Sequence, residues 1–146
     1  MFKFLKSLFV DPTREWKKVV HDPVLGELQL NEDATWWESV VGLSEQAITF
    51  QIGGEGEPDA ALLAHAYDII GRFGEFQRVV ADFLNEEASR SRYWADEIRQ
   101  LEIESVSLFW SKRPNDGMIS FCGPDEYRLW RCDYVDRKPT GLAFDD

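Results

Sequence analysis

The hydrophobic period of this chain changes twice along its length, and this limits the folds that it can adopt. Apolar residues alternate with polar or small ones through residues 46–52, which is the period of a half-buried strand. Through residues 62–73 they recur every three or four positions, as in an amphipathic helix. Residues 106–110 return to a period of two. Strands, then helices, then strands within 146 residues predict an α+β fold.

The same patterns, with the turn signals between them, predict how the elements are arranged. We expect an antiparallel sheet of about six strands, three N-terminal and three C-terminal, with two to three central helices packed on one face. The chain is interpreted as a single domain, 1–146, with an α+β core over 20–146. The six strands are expected at residues 24–30, 36–43, 46–52, 106–110, 118–122 and 127–135.

Residues 1–12 are predicted to form a short amphipathic helix. Lys6 interrupts the apolar run and no small-residue cleavage site follows, so an export signal is not expected. The interpretation favoured here packs this helix on the body of the protein, and contact with a membrane surface through it is the alternative. Its apolar face consists of Phe2, Leu5, Leu8 and Phe9.

Charge is distributed unevenly along the chain, which has a formal net charge of −11. Residues 19–71 contain ten acidic residues and no Lys or Arg. Such a field repels phosphate backbones, so nucleic acid is not an expected partner. The two cysteines, Cys122 and Cys132, are expected to lie too far apart on neighbouring strands for a disulfide. Free thiols are typical of a reducing compartment, so a cytoplasmic location is expected.

No pattern of residues points to catalysis. The Gly-rich segment 53–56 lies between a strand and a helix, but acidic residues surround it and no Lys follows, unlike a phosphate-binding loop. The two His and two Cys are far apart in sequence, which does not favour a zinc site, and His65 is expected on a helix surface. We therefore predict no catalytic residue, no metal, no cofactor and no enzymatic activity.

The predicted partner-binding residues combine acids with two tryptophans. Adjacent residues of a strand point to opposite faces, so one of Trp36 and Trp37 is expected in the core. The other is expected to be at least partly exposed, or else covered by the helical layer or the N-terminal segment, and the covered interpretation is favoured. Exposed Trp beside acidic residues is a composition found at protein interfaces. Trp110 and Trp130 are expected in the core. The candidate binding residues are Glu32, Asp33, Trp36, Trp37, Glu38, Glu55, Glu57 and Asp59.

Two parts of the chain resemble a bacterial domain family of unknown function. The first is residues 21–30, which contain a Pro-x-x-Gly-x-Leu pattern, followed by Trp36-Trp37-Glu38. The second is residues 101–107, followed by Asp116-Gly117 and Arg128-Leu129-Trp130. The resemblance covers most of residues 20–146. It implies a small, acidic, cytoplasmic α+β protein of the immunity type, and it transfers no catalytic residue.

Charge and resemblance together predict a non-enzymatic protein-binding domain, an immunity-type inhibitor that neutralises a basic toxin or effector through an acidic surface. One alternative is a small-molecule or carbohydrate-active domain that uses carboxylates and Trp. Another is a membrane-adjacent adaptor that uses the N-terminal helix. A pocket with two carboxylates of raised pKa would favour the first alternative.

Overall fold

The computed structural model describes residues 18–31 and 35–145. Eight of its strands form one sheet, and their order in the sheet is their order along the chain. The strands are β1 (Val19–Asp22), β2 (Gly26–Leu30), β3 (Trp36–Leu43), β4 (Gln46–Gly53), β5 (Glu102–Leu108), β6 (Gly117–Cys122), β7 (Leu129–Val135) and β8 (Lys138–Asp145).

Three helices connect the two halves of this sheet. They follow β4 and precede β5, and these two strands are parallel neighbours, whereas the other neighbouring strands are antiparallel. A parallel pair requires a crossover connection, which the helices supply. They are α1 (Ala60–Gly71), α2 (Phe73–Arg90) and α3 (Ala95–Arg99).

The helices pack on one face of the sheet and form the core with it. Helix α2 buries Phe76, whose ring contacts Tyr134 of β7 at a centroid distance of 5.8 Å. Helix α1 buries His65, which stacks on the same tyrosine at 5.6 Å. From the sheet, every second residue of β4 is fully buried. This alternation shows that one face of each central strand points to the helices and the other points away from them.

Two of the hairpin turns lack the Asn and Gly residues that usually occupy such turns. Ser44 and Glu45 join β3 to β4 with φ of 48° and 65°, and Asp136 and Arg137 join β7 to β8 with φ of 51° and 63°. Positive φ at both central residues is the geometry of a type I′ turn, which usually contains Asn or Gly. The twist of the paired strands therefore holds four non-glycine residues in the left-handed region.

Two aspartate side chains stabilise the start of α1 and the turn after β1. The Asp59 carboxylate accepts hydrogen bonds from the N–H groups of Ala61 and Leu62 and caps α1, as short polar side chains do at helix starts. In the turn after β1, Asp22 accepts from the N–H groups of Val24 and Leu25 and from the Tyr67 hydroxyl. Burial raises the pKa of Asp22, but these hydrogen bonds outweigh it and lower the pKa overall.

A charged cluster connects α3 to β7. The Arg128 guanidinium donates to both Glu97 oxygens at 2.7 and 3.1 Å, and the Trp130 indole donates to the same carboxylate at 2.6 Å. The guanidinium also lies 4.6 Å from the Trp94 ring and 5.4 Å from the Phe144 ring. Glu97 thus binds an arginine that lies against two neighbouring aromatic rings and that also pairs with Asp125 at 2.8 Å.

The prediction of an antiparallel sheet of about six strands is wrong in two respects. The sheet has eight strands in the described part of the chain, because β1 and β8 extend it at its two edges. It is mixed, because β4 and β5 are parallel. The broader α+β class agrees with the structure.

Three expectations about single residues have different outcomes. Trp130 is buried, as predicted, but Trp110 follows the end of β5 and is 37% exposed. The expectation that His65 lies on a helix surface is wrong, since it is buried against β7. Its Nδ1 hydrogen-bonds to the carbonyl oxygen of Pro114. Burial is the main cause that lowers the pKa of His65, which favours the neutral ring.

Candidate functional site

The face of the sheet that points away from the helices is the largest feature with functional potential, and we name it the open face. One row of paired residues crosses it from β2 to β7 and marks its position, and no helix of residues 18–31 and 35–145 lies against it. The exposed fractions of Val40 and Leu129 on this face are 66% and 60%. The row consists of Gln29, Glu38, Gln51, Ser107, Met118 and Asp133.

A chain of hydrogen bonds runs along the centre of this row. The Ser107 hydroxyl donates to Gln51 Oε1 at 2.7 Å, and Gln51 Nε2 donates to Glu38 Oε1 at 2.7 Å. The Trp36 indole donates to the same Glu38 oxygen at 3.1 Å. Residues two apart on one strand share a face, so Trp36 lies on the open face beside Glu38. The carboxylate of Glu38 is therefore held in a fixed orientation.

Aromatic side chains continue the surface beyond Glu38. The Trp36 and Phe109 rings are 5.5 Å apart, and Trp110 contacts Phe109 at 6.3 Å. Gly53 permits this contact, because a Cβ on it would lie 2.5 Å from the carbonyl oxygen of Phe109. Arg113 covers the Trp110 ring at 4.7 Å. The Trp36–Phe109 pair thus forms a partly exposed aromatic edge next to the carboxylate.

Acidic residues outnumber basic ones on the open face. The described strands place two cations there, Arg131 and Lys138, and Arg131 is paired with an acid at 3.0 Å. The acid paired with Arg131 is Asp145. The five remaining acids of the open face have no ion pair with any described residue. A field that is not cancelled locally acts over about a Debye length, roughly 8 Å at physiological salt. The acids are Glu27, Glu38, Glu102, Asp133 and Asp145, together with Glu104, which lies at the register shift between Ile103 and Ser105 and near Cys122.

The helical layer differs from the open face in its charge balance. Residues 60–100 contain seven acids and five arginines, and several of these form ion pairs within the layer. Asp68, for example, lies 3.4 Å from Arg72 and 2.9 Å from Arg137. Charges that are paired in this way produce little field beyond the surface. The excess negative charge of the described strands is therefore concentrated on the open face.

The structure separates the predicted partner-binding residues. Trp36 and Glu38 lie together on the open face, whereas Trp37 is fully buried on the helix side and donates to the carbonyl of Gly54. One indole is therefore in the core, as strand alternation predicts, and the other is half-buried. Glu32 and Asp33 lie outside the described residues.

The remaining candidates lie in the loop between β4 and α1. Glu55 and Glu57 are exposed there, and Asp59 caps α1. Lys18 donates to the carbonyl of Gly56 and lies 5.9 Å from the Trp37 ring, so a cation sits at this loop. Gly54 has a φ of 147°, which side chains disfavour, and a Cβ there would meet the backbone of Glu57 and Asp59. Glycine is therefore required at this position. This loop is a structural connection at the helix side of the sheet.

Sequence reasoning missed five acids of the open face, namely Glu27 and four in the C-terminal half of the chain. Glu102, Glu104, Asp133 and Asp145 belong to a part of the chain whose acids and bases nearly balance. Their common face follows from strand alternation, but only once the pairing of β5 with β4 is known. The signal that could have found them is the period of two in each strand, combined with the sign of charge at the outward positions.

Other surface features offer little for chemistry. One depression has a volume of about 210 Å³ and is lined by Asp68, Arg72, Glu75 and Arg137 around an apolar floor. Its Asp68 is bound by both arginines. In residues 18–31 and 35–145, no group of three or more His, Cys, Asp or Glu side chains could hold a metal ion.

The two cysteines are free. Burial raises the pKa of the Cys132 thiol to about 12. Burial and the nearby Glu104 and Glu102 raise the pKa of Cys122. Thiolates are the reactive form of cysteine, so neither environment activates its thiol as a nucleophile.

Comparisons with known proteins leave the chain without a named relative. No family model matches it, and no curated protein or solved structure is significantly similar to it. The resemblance to an immunity-type bacterial family therefore stays a prediction. Among the described residues, no helix combines the length and the apolar composition that crossing a bilayer requires.

Proposed function

We propose that this chain is a non-enzymatic binding protein whose open face docks onto a basic protein, in the manner of an immunity-type inhibitor of a toxin or effector. The observation that carries the proposal is the concentration of six acids and two cations on one sheet face that no helix of residues 18–31 and 35–145 covers. An arrangement of this kind steers a basic partner toward the face and orients it there. The free cysteines support action in the cytoplasm.

The size of the open face supports the same proposal. Eight strands at a spacing of about 4.8 Å span roughly 34 Å, and strands of about seven residues are roughly 24 Å long. The product is near 800 Å², about the area that each partner buries in an interface of standard size. Exposed Val40 and Leu129 provide apolar contact area between the charges. One face of this sheet is therefore large enough for a stable complex.

The carbohydrate-active and membrane alternatives have less support. The depression beside Asp68 contains carboxylates, but arginines bind Asp68 and the site is open to solvent. Phe2, Leu5, Leu8 and Phe9, on which the membrane alternative depends, lie outside the described residues.

Charge reversal on the open face tests the proposal. We expect the triple variant Glu27→Lys, Glu104→Lys, Asp133→Lys to bind a hexa-arginine peptide at least about tenfold more weakly than the wild type at low salt. The binding of the wild type should weaken as salt is raised to about 0.15 M, where the Debye length is about 8 Å. Dissociation constants from isothermal titration calorimetry at both salt concentrations measure this.

A matched control variant reverses the same number of acidic residues on the helical layer. Glu75, Asp82 and Glu86 are exposed on α2, and reversing all three to Lys alters the net charge equally. The control should weaken peptide binding by less than about threefold, because the field of the distant layer is screened. Equal losses in the two triple variants would mean that net charge alone attracts the peptide, and the docking face would be wrong.

A further inference from the structure

Glu38 has the position and hydrogen bonding of a receptor for a guanidinium group. Its Oε1 accepts hydrogen bonds from Trp36 and Gln51, and Gln51 is itself held by Ser107. Its Oε2 accepts none from the described residues, and no described cation lies within ion-pair distance of the carboxylate. Fixing a carboxylate in advance lowers the entropy lost when a partner binds it.

The same chain contains a complete version of this arrangement. At Glu97 an indole N–H, that of Trp130, donates to the carboxylate, which binds the Arg128 guanidinium through both oxygens. Aromatic rings at 4.6 and 5.4 Å cover that guanidinium. At Glu38 the indole donor is Trp36, and the Trp36–Phe109 pair supplies the neighbouring rings. The difference is that the Glu38 group lies on the open face.

We propose that Glu38 and Trp36 form an arginine-binding subsite of the open face, which receives one arginine side chain of the basic partner. This proposal rests on the proposed function and adds the chemistry of its central contact. Arginine fits better than lysine for two reasons. Its planar fork donates several hydrogen bonds toward a carboxylate, and it stacks on aromatic faces. Lysine brings a compact, strongly hydrated charge that gains less from both features.

The position of the subsite agrees with its role as an anchor. Glu38 occupies the third strand of eight, between Gln29 on β2 and Gln51 on β4. Both neighbours are uncharged, so an arginine here meets one carboxylate in a partly buried setting. Charge-assisted hydrogen bonds in such settings are about twice as strong as neutral ones. Interface residues with this environment commonly dominate the binding energy.

The experiment compares hexa-arginine with hexa-lysine on three proteins: wild type, Glu38→Gln and Glu27→Gln. Glu27 is an exposed acid on the same face, so its variant loses the same charge without touching the subsite. We expect Glu38→Gln to weaken hexa-arginine binding about tenfold, which corresponds to about 1.4 kcal/mol. It should weaken hexa-lysine binding much less, and Glu27→Gln should affect both peptides by less than about threefold.

The indole signal of Trp36 gives an independent readout. The chain contains six Trp, and the signal of Trp36 in an amide-correlation NMR spectrum is identified by its loss in Trp36→Phe. Hexa-arginine should shift this signal in the wild type and not in Glu38→Gln. Trp36→Phe serves as a second variant that should also weaken hexa-arginine binding. Urea midpoints of all variants verify that they are folded.

The outcomes separate this proposal from the function that it depends on. If Glu38→Gln and Glu27→Gln have the same effect and the two peptides bind equally well, the arginine subsite is wrong, while the docking face still stands. If neither peptide binds the wild type, or if the open-face triple variant binds as well as the wild type, both proposals are wrong.

Discussion

Replacing Trp37 with alanine is expected to lower the free energy of unfolding by about 4 kcal/mol, because large aromatic side chains in a core cost about 3–5 kcal/mol when truncated. Trp37 is fully buried, and its indole donates to the carbonyl of Gly54 at 3.1 Å. The loss approaches the whole stability of a typical domain. Urea unfolding followed by circular dichroism measures it, and Trp37→Phe, with a smaller cavity, provides a milder variant.

The neighbouring residue is the control for this prediction. Trp36 lies on the open face, partly exposed, and contacts Phe109 and Glu38. Trp36→Ala removes one hydrogen bond and part of an aromatic contact, so we expect a loss of about 1 kcal/mol. If Trp36→Ala destabilises the protein as much as Trp37→Ala, the assignment of the two faces of β3 is wrong, and with it the open face.

Replacing Glu97 with glutamine is expected to lower the free energy of unfolding by about 1.5–3 kcal/mol at neutral pH, because it removes the charge that strengthens the hydrogen bonds from Arg128 and Trp130. Arg128 keeps its ion pair with Asp125 at 2.8 Å in this variant. The Glu97 and Arg128 side chains are 14% and 19% exposed, so solvent screens this pair only in part. Asp96 is the control, because its side chain is fully exposed and lies 3.9 Å from Arg99. We expect Asp96→Asn to change stability by less than about 0.5 kcal/mol.

The contribution of Glu97 depends on pH in a defined direction. Hydrogen bonds from Arg128 are the main cause that lowers the pKa of Glu97 below its ordinary value in the folded protein. The unfolded state therefore binds the proton first as the pH falls. The stabilisation is complete above about pH 4.5 and is lost as the pH drops through the folded pKa. Below about pH 4.5 the free energy of unfolding of Glu97→Gln should therefore fall less steeply with pH than that of the wild type. Equal slopes in the two proteins would contradict the interaction of Glu97 with Arg128.

Strand positions could be predicted where alternation was continuous. The expected strand 36–43 coincides with β3, and 46–52 nearly coincides with β4. The edge strand β8 was not counted among the six strands, and it contains Pro139 and Gly141, which are uncommon inside strands. In the structure Gly141 has a φ of 65° at a shift in register, so the strand continues past it. The count of six strands was wrong because β8 and the four-residue strand β1 at the other edge were not included.

Pairing between strands was harder to predict than the strands themselves. A turn at residues 123–126 predicts Ser120 opposite Leu129, but the connection is longer and Ser120 faces Arg131. The parallel pairing of β4 with β5 has no local signal, because it joins residues about 56 positions apart, such as Gln51 and Ser107. A sequence pattern shows the hydrophobic period of a short segment. The pairing of β4 with β5 is a long-range contact that depends on how the three helices between them return the chain to the sheet.

The candidate site could be predicted only in part for the same reason. Acids that are close in the chain were expected to form one surface. In the structure Asp22 holds the turn after β1, Asp59 caps α1 and Asp68 pairs with arginines. Trp36 and Glu38 share a face because they are two apart in one strand. Glu104 and Asp133 join them only through the register of four strands.

The central claim is that the open face, and no other surface of the described chain, receives a basic partner. Mapping of backbone amide shifts during titration of the wild-type protein with hexa-arginine tests this most directly. We predict that the shifts concentrate on the strands around Glu38, Gln51 and Ser107, together with the Gln51 side-chain amide, and spare α2. Shifts that concentrate on α2 around Glu75 and Asp82, with β3 and β4 unchanged, would contradict the account.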